Sequence, residues 1–101
     1  MTKLLEGKVA LITGSGRGMG LTDALLMAAE GAAIVIQDID GDLAADGTEQ
    51  IRAAGGEVFT IVSDVTDVKA TQAKFAEAEE HFGRIDILVN NAGIGGGGFL
   101  E

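Results

Sequence analysis

Four glycines stand at alternate positions in the segment LITGSGRGMGL, at residues 14, 16, 18 and 20. An apolar run enters the segment and a run with helical spacing leaves it. Glycine permits φ > 0 and, having no Cβ, lets a ligand approach the backbone. Where such a loop opens a helix, the first N–H groups lack partners and the helix dipole is positive, which suits a pyrophosphate. Two carboxylates follow, Asp38 and Asp64, each closing an apolar run. A carboxylate at the end of the next strand accepts hydrogen bonds from ribose 2′- and 3′-hydroxyls and repels a 2′-phosphate. Asp38 stands twenty residues after Gly18, a spacing that suits this role. The loop alone has a plain alternative, a tight strand-to-helix turn. The literal G-x-G-x-x-G pattern does not fit either. Counted from Gly14 it ends on Met19, and from Gly16 on Leu21.

Placing these residues together requires a particular order of elements. KVALIT, at 8–13, is a short apolar run closed by glycines and predicts a buried strand. MGLTDALLMAAEG predicts a helix, with Leu21, Leu25 and Ala28 on one face and Gly31 at C′. AIVIQD, at 33–38, predicts a second buried strand. DLAADGTEQIRAAGG predicts a helix facing inward through Leu43, Gln50/Ile51 and Ala54, with Gly47 weakening it by about 1 kcal/mol relative to Ala. EVFTIVSD, at 57–64, predicts a third strand. TDVKATQAKFAEAEEHFG predicts a helix capped by Thr66 or Asp67, striped by Val68, Phe75, Ala78 and Phe82, and stopped by Gly83. IDILVNN, at 85–91, predicts a fourth strand. One domain is expected over residues 1–93, with a glycine-rich tail at 94–101.

Apolar strands alternating with helices imply an α/β fold, a parallel sheet covered on both faces. Right-handed crossovers give the order 3-2-1-4, a Rossmann-like but incomplete doubly wound sheet. The first two helices then cover one face and the third covers the other. A ligand binds beyond the C-terminal strand ends where the order reverses, between strands one and four. The glycine loop lies there.

Composition narrows the function classes. The formal net charge is −9, which argues against nucleic acid and against anionic membranes as partners. With no cysteine, the chain has neither disulfides nor thiolate metal sites, and no metal site is expected. No segment has the run of about 20 apolar residues that a membrane span needs, and the N-terminal residues have no signal-peptide pattern. A cytoplasmic protein is expected. His81, the chain's one histidine, is expected at the surface rather than as ligand or base. Asp86 and Glu57 are expected at strand edges or turns.

Taken together, TGSGRGMG at 13–20, Asp38, Asp64–Val65 and NNAG at 90–93 resemble the short-chain dehydrogenase/reductase family. The family's motif T-G-x-x-x-G-x-G is met at Thr13, Gly14, Gly18 and Gly20, and its N-N-A-G motif is met in full. The resemblance implies a nicotinamide dinucleotide cofactor and hydride transfer to or from an alcohol or ketone carbon. It implies that Gly14, Gly18 and Gly20 form the pyrophosphate turn, with Met19 beside the cofactor. Asp38 would hold the adenosine ribose and favour NAD, whereas Arg17 is a basic residue of the kind that meets the 2′-phosphate of NADP in some members. Asp64 and Val65 would flank the adenine. Asn90, Ala92 and Gly93 would line the ribose, while Thr13 and Asn91 would tie the first strand to the fourth. A rival family, the methyltransferases that use S-adenosylmethionine, shares G-x-G-x-G, but its acid two residues before the first glycine is Ile12 here.

The family's general acid/base is a Tyr, supported by a Lys four residues later and a Ser, all lying beyond N-N-A-G. This chain contains no Tyr. The 101-residue chain is therefore expected to hold a cofactor without turnover of its own. The alternative is a free-standing, non-enzymatic module that binds an adenine nucleotide or self-associates. An unpaired fourth strand and a sheet face covered by one helix predict a homo-oligomer.

Overall fold

The computed structural model describes residues 3–91. Strands and helices alternate: β1 (Val9–Thr13), α1 (Gly18–Ala29), β2 (Ala33–Asp38), α2 (Gly41–Ala53), β3 (Val58–Val62), α3 (Val68–Phe82) and β4 (Ile87–Val89). The four strands pair in parallel in the order β3-β2-β1-β4. This is the Rossmann-type α/β sheet that the alternating pattern predicts. β1 and β2 are buried almost throughout, as expected of strands covered on both sides.

Side-chain alternation along the strands divides the core into two layers. Ala10, Ile12, Ile34 and Ile36 pack with Ala24 of α1 and with Ala44 and Ile51 of α2. Val9, Leu11, Val35 and Ile61 pack with Ala78, Phe75 and Phe82 of α3. The helices thus fall on the faces that right-handed crossovers require.

Local signals account for the helix ends. Asp40 caps α2 by accepting the N–H groups of Asp42 and Leu43. Asp67, rather than Thr66, caps α3 by accepting from Ala70. Gly83 closes α3 in the left-handed region at φ 83°, and Gly31 follows α1 at φ 98°.

Three expectations are corrected. The inward face of α2 is Ala44, Gly47, Thr48 and Ile51, which keeps Ile51 of the expected stripe but puts Ala44 in place of Leu43, and Ala54 is exposed. Small residues are needed in the first half of α2 because it lies close against β2 and the glycine loop. Val68 opens α3 but is 53% exposed, so it leaves the stripe to Phe75, Ala78 and Phe82. β4 spans three residues rather than seven. Its start is held by Asp86, whose N–H donates to the Val9 carbonyl while its Oδ2 accepts the Val9 N–H at 2.8 Å. His81 is exposed and lies against the rings of Phe59 and Phe82.

No helix among the described residues is long and apolar enough to cross a membrane. Among the same residues, no group of three or more acidic or imidazole side chains is placed to hold a metal ion. Residues 94–101, expected as a tail, lie outside the described residues.

Candidate functional site

The loop between β1 and α1 lies at the C-terminal end of the sheet, where the strand order reverses. Gly14 and Gly18 each adopt φ 61°, a conformation that costs other residues about 1–2 kcal/mol. Gly16 and Gly20 are needed for space instead. A Cβ on Gly20 would collide with the Gly14 carbonyl and come within 2.7 Å of Asn91 Nδ2. A Cβ on Gly16 would come within 2.8 Å of both Asp38 Oδ2 and the Leu43 carbonyl carbon. Gly47 belongs to the same packing. A Cβ there would stand 3.1 Å from Ile36 Cδ1 and 3.3 Å from Gly16 Cα. The helix-weakening glycine of the sequence is thus the point where α2 meets the loop.

The start of α1 differs from the other helix starts. Arg17 is its N-cap residue and supplies no side-chain hydrogen bond, and the first turn carries no acid. The N–H groups of Gly18, Met19 and Gly20 therefore have no acceptor within the helix. Arg17, Gly18 and Met19 are exposed, Met19 at 75%. Open amides at a positive helix end, reached over residues without Cβ, fit the pyrophosphate of a dinucleotide.

Asp38 ends β2 against this loop and is 7% exposed. Its Oδ2 accepts the Gly16 N–H at 3.0 Å, and its Oδ1 accepts the Asp40 N–H at 3.1 Å. A carboxylate offers about four lone-pair sites, so acceptor capacity remains for ribose hydroxyls.

Asp64 is exposed, and Val65 beside it is buried. The Thr66 hydroxyl, at 2.6 Å, and then the Thr66 N–H, at 2.9 Å, hold the Asp64 carboxyl below the usual carboxylate range. Its Oδ1 is therefore engaged in the turn leading to α3 as well as standing at the sheet edge. Thr13 Oγ1 accepts the Asn91 N–H at 2.9 Å and donates to Asn90 Oδ1 at 3.1 Å. Asn91 Nδ2 donates to the Gly14 carbonyl at 3.5 Å. Thr13 and Asn91 thus tie β1 to the chain following β4. Ala92 and Gly93 lie outside the described residues.

Sequence reasoning missed Gln37 and Ser15. Both are buried, Ser15 within the loop and Gln37 beneath it. Gln37 Oε1 accepts the Gly14 N–H at 3.0 Å, and Gln37 Nε2 donates to the Ser63 carbonyl at 2.6 Å. Ser15 Oγ donates to the Ile12 carbonyl at 2.6 Å and accepts the Gln37 N–H at 3.1 Å. The visible signal was one polar residue inside the apolar run AIVIQD.

The family model for short chain dehydrogenase matches residues 8–101. The chain belongs to the short-chain dehydrogenase family. Within this oxidoreductase family, elsinochrome reductase 1 of Elsinoe fawcettii is 41% identical over 101 residues, which take in 99% of this chain and 38% of that protein. A crystal structure of NAD+-bound xylitol dehydrogenase superposes with a TM-score of 0.88 at 38% identity, covering 91% of this chain and 35% of that one. A metagenomic short-chain oxidoreductase in complex with NADP superposes with a TM-score of 0.83 at 36% identity, covering 90% of this chain and 41% of that one. Short-chain dehydrogenases similar to this chain thus include both NAD and NADP complexes. The chain spans between 36% and 41% of the length of the curated relatives it matches.

Proposed function

We propose that this chain is the NAD(H)-binding part of a short-chain dehydrogenase that moves hydride between nicotinamide and an alcohol or ketone substrate. The observation that carries the proposal is the buried Asp38 carboxylate, bonded to the Gly16 amide beside an uncapped helix start. Backbone amides of Gly18, Met19 and Gly20, approached over Gly14, would hold the pyrophosphate. Asp38 would accept the adenosine ribose hydroxyls. Asp64 and Val65 would flank the adenine, and Asn90 with Ala92 and Gly93 would line the second ribose.

NAD is favoured over NADP because a buried carboxylate at the end of β2 repels a 2′-phosphate. Arg17, exposed on the loop, is the feature that favours NADP. When bound, the nicotinamide supplies the hydride donor or acceptor, and the residues of this chain bind and orient it. With no Tyr in the chain, nothing here supplies the phenolic proton donor of the family. The 101-residue chain by itself is expected to bind without turnover. Association with a second copy through β4 and the open sheet face is part of the same proposal.

Calorimetric titration with NAD and NADP, on the wild type and Asp38→Ala, tests the site. Saturable NAD binding, tighter than NADP and weakened by the substitution, is expected. Absence of binding at millimolar NAD would overturn the assignment of a working dinucleotide site to this chain.

A further inference from the structure

We propose that Gln37 is a positioning residue that presets the glycine loop and couples it to the segment beside Asp64 and Val65. The inference rests on the dinucleotide-site proposal above. Gln37 is 2% exposed and sits directly before Asp38 on β2. Alternation places it on the same sheet face as Val35, beneath α3. Its amide cannot be reversed. The Gly14 N–H can only donate and the Ser63 carbonyl can only accept, so Oε1 must face the loop and Nε2 must face β3's end.

The backbone of the same residue holds the next loop position. The Gln37 carbonyl accepts the Ser15 N–H at 2.9 Å, and the Gln37 N–H donates to Ser15 Oγ at 3.1 Å. Asp38 Oδ2 then takes the Gly16 N–H. Three successive loop amides, at 14, 15 and 16, are thus consumed by β2. The amides left for an anion are those at the start of α1. Nε2 also lies 3.5 Å from Ser63 Oγ, which Thr71 Oγ1 approaches at 3.5 Å, and Thr71 Oγ1 donates to the Asp64 carbonyl at 3.0 Å. One buried side chain therefore joins the loop to the turn that carries Asp64.

Two variants separate positioning from bulk stability. Gln37→Leu keeps the volume but leaves the Gly14 N–H and the Ser63 carbonyl unpaired. NAD binding is expected to weaken about tenfold or more, and hydrogen exchange at the Gly14 amide to accelerate. Gln37→Glu is pH-dependent. Its protonated carboxyl presents one O–H and one carbonyl oxygen in the same fork, so it replaces the amide. Its ionised form sets an oxygen against the Ser63 carbonyl. Burial raises the pKa of the introduced carboxyl. NAD affinity of Gln37→Glu is therefore expected near wild type at about pH 5 and falling toward pH 8, while wild type lacks this fall. Should Gln37→Leu fail to fold, the Gln37→Glu pH profile decides. Wild-type NAD affinity in Gln37→Leu well below its melting temperature, or a Gln37→Glu profile parallel to wild type, would overturn the proposal alone. No NAD binding by the wild type would overturn the dinucleotide site and this inference with it.

Discussion

The Asp38 carboxylate holds the Gly16 amide at 3.0 Å through one oxygen while its other oxygen accepts from Asp40. The residue assigned to the cofactor ribose is therefore also part of the scaffold that shapes the loop. Asparagine cannot replace it, because its Nδ2 would have to face one of those two N–H groups. Asp38→Asn is expected to lower stability by about 1–3 kcal/mol without ligand. Urea unfolding checks this. NAD affinity is expected to fall about tenfold or more, with NADP affinity falling less. An unchanged ratio of the two affinities would remove Asp38 from cofactor selection.

Gly18 and Gly20 are both motif glycines, yet the structure needs them for different reasons. Gly18 has open space where a Cβ would go but sits at φ 61°. Gly18→Ala is expected to cost about 1–2 kcal/mol. Gly20 has ordinary helical backbone, but a Cβ would meet the Gly14 carbonyl and Asn91. Gly20→Ala forces the loop away from α1 and is expected to cost more, up to about 3 kcal/mol. Denaturant midpoints of the two variants rank them. The reverse order would show that backbone strain, not crowding, governs the loop.

Strand order and helix side were legible because β1 and β2 read as apolar runs and glycine follows β1 and each of the three helices. The phase of α2 was not. Leu43 is bulky and apolar, but the first half of α2 lies close against the loop and β2, so Ala44, Gly47 and Thr48 turn inward there and Ile51, further along, is the one large side chain on that face. The length of β4 was obscured because Ile85 is apolar and packs in the core without joining the ladder. Asp38 and the loop glycines were legible from type and spacing. The bonds from Gln37 and Asp38 to Gly14 and Gly16 depend on the path of the loop, which no local pattern encodes.

Acid should loosen β4. Arg84, through Nη2 at 2.6 Å and Nε at 2.8 Å, and then the Val9 N–H hold the Asp86 carboxyl below its ordinary value of 3.8. A carboxyl whose folded pKa is depressed contributes stability that is fully present above the ordinary value. That contribution is lost as pH falls through the folded value. Asp64, held low by Thr66, adds to the same acid limb. Asp86→Asn is expected to melt below wild type at neutral pH, with the difference closing as pH drops under 3.8. Melting curves across that range check the sign. A difference that stays constant into acid would mean that the Asp86 charge contributes nothing to holding β4.

Leu88 decides how the sheet's open side behaves. It pairs in register with Leu11, so alternation sends both to the α3 face. Leu11 is covered there at 1% exposure, whereas Leu88 stands 39% exposed because α3 packs over β1, β2 and β3 and stops short of β4. β4 also pairs with β1 alone, leaving its other edge without a strand among the described residues. An apolar side chain on an open edge favours association. Leu88→Lys is expected to reduce self-association of the 101-residue chain with less than about 0.5 kcal/mol change in stability, as for an exposed position. Sedimentation velocity over a concentration series reads the first effect and urea unfolding the second. If wild type and Leu88→Lys sediment alike as monomers, this face is not where copies of the chain meet.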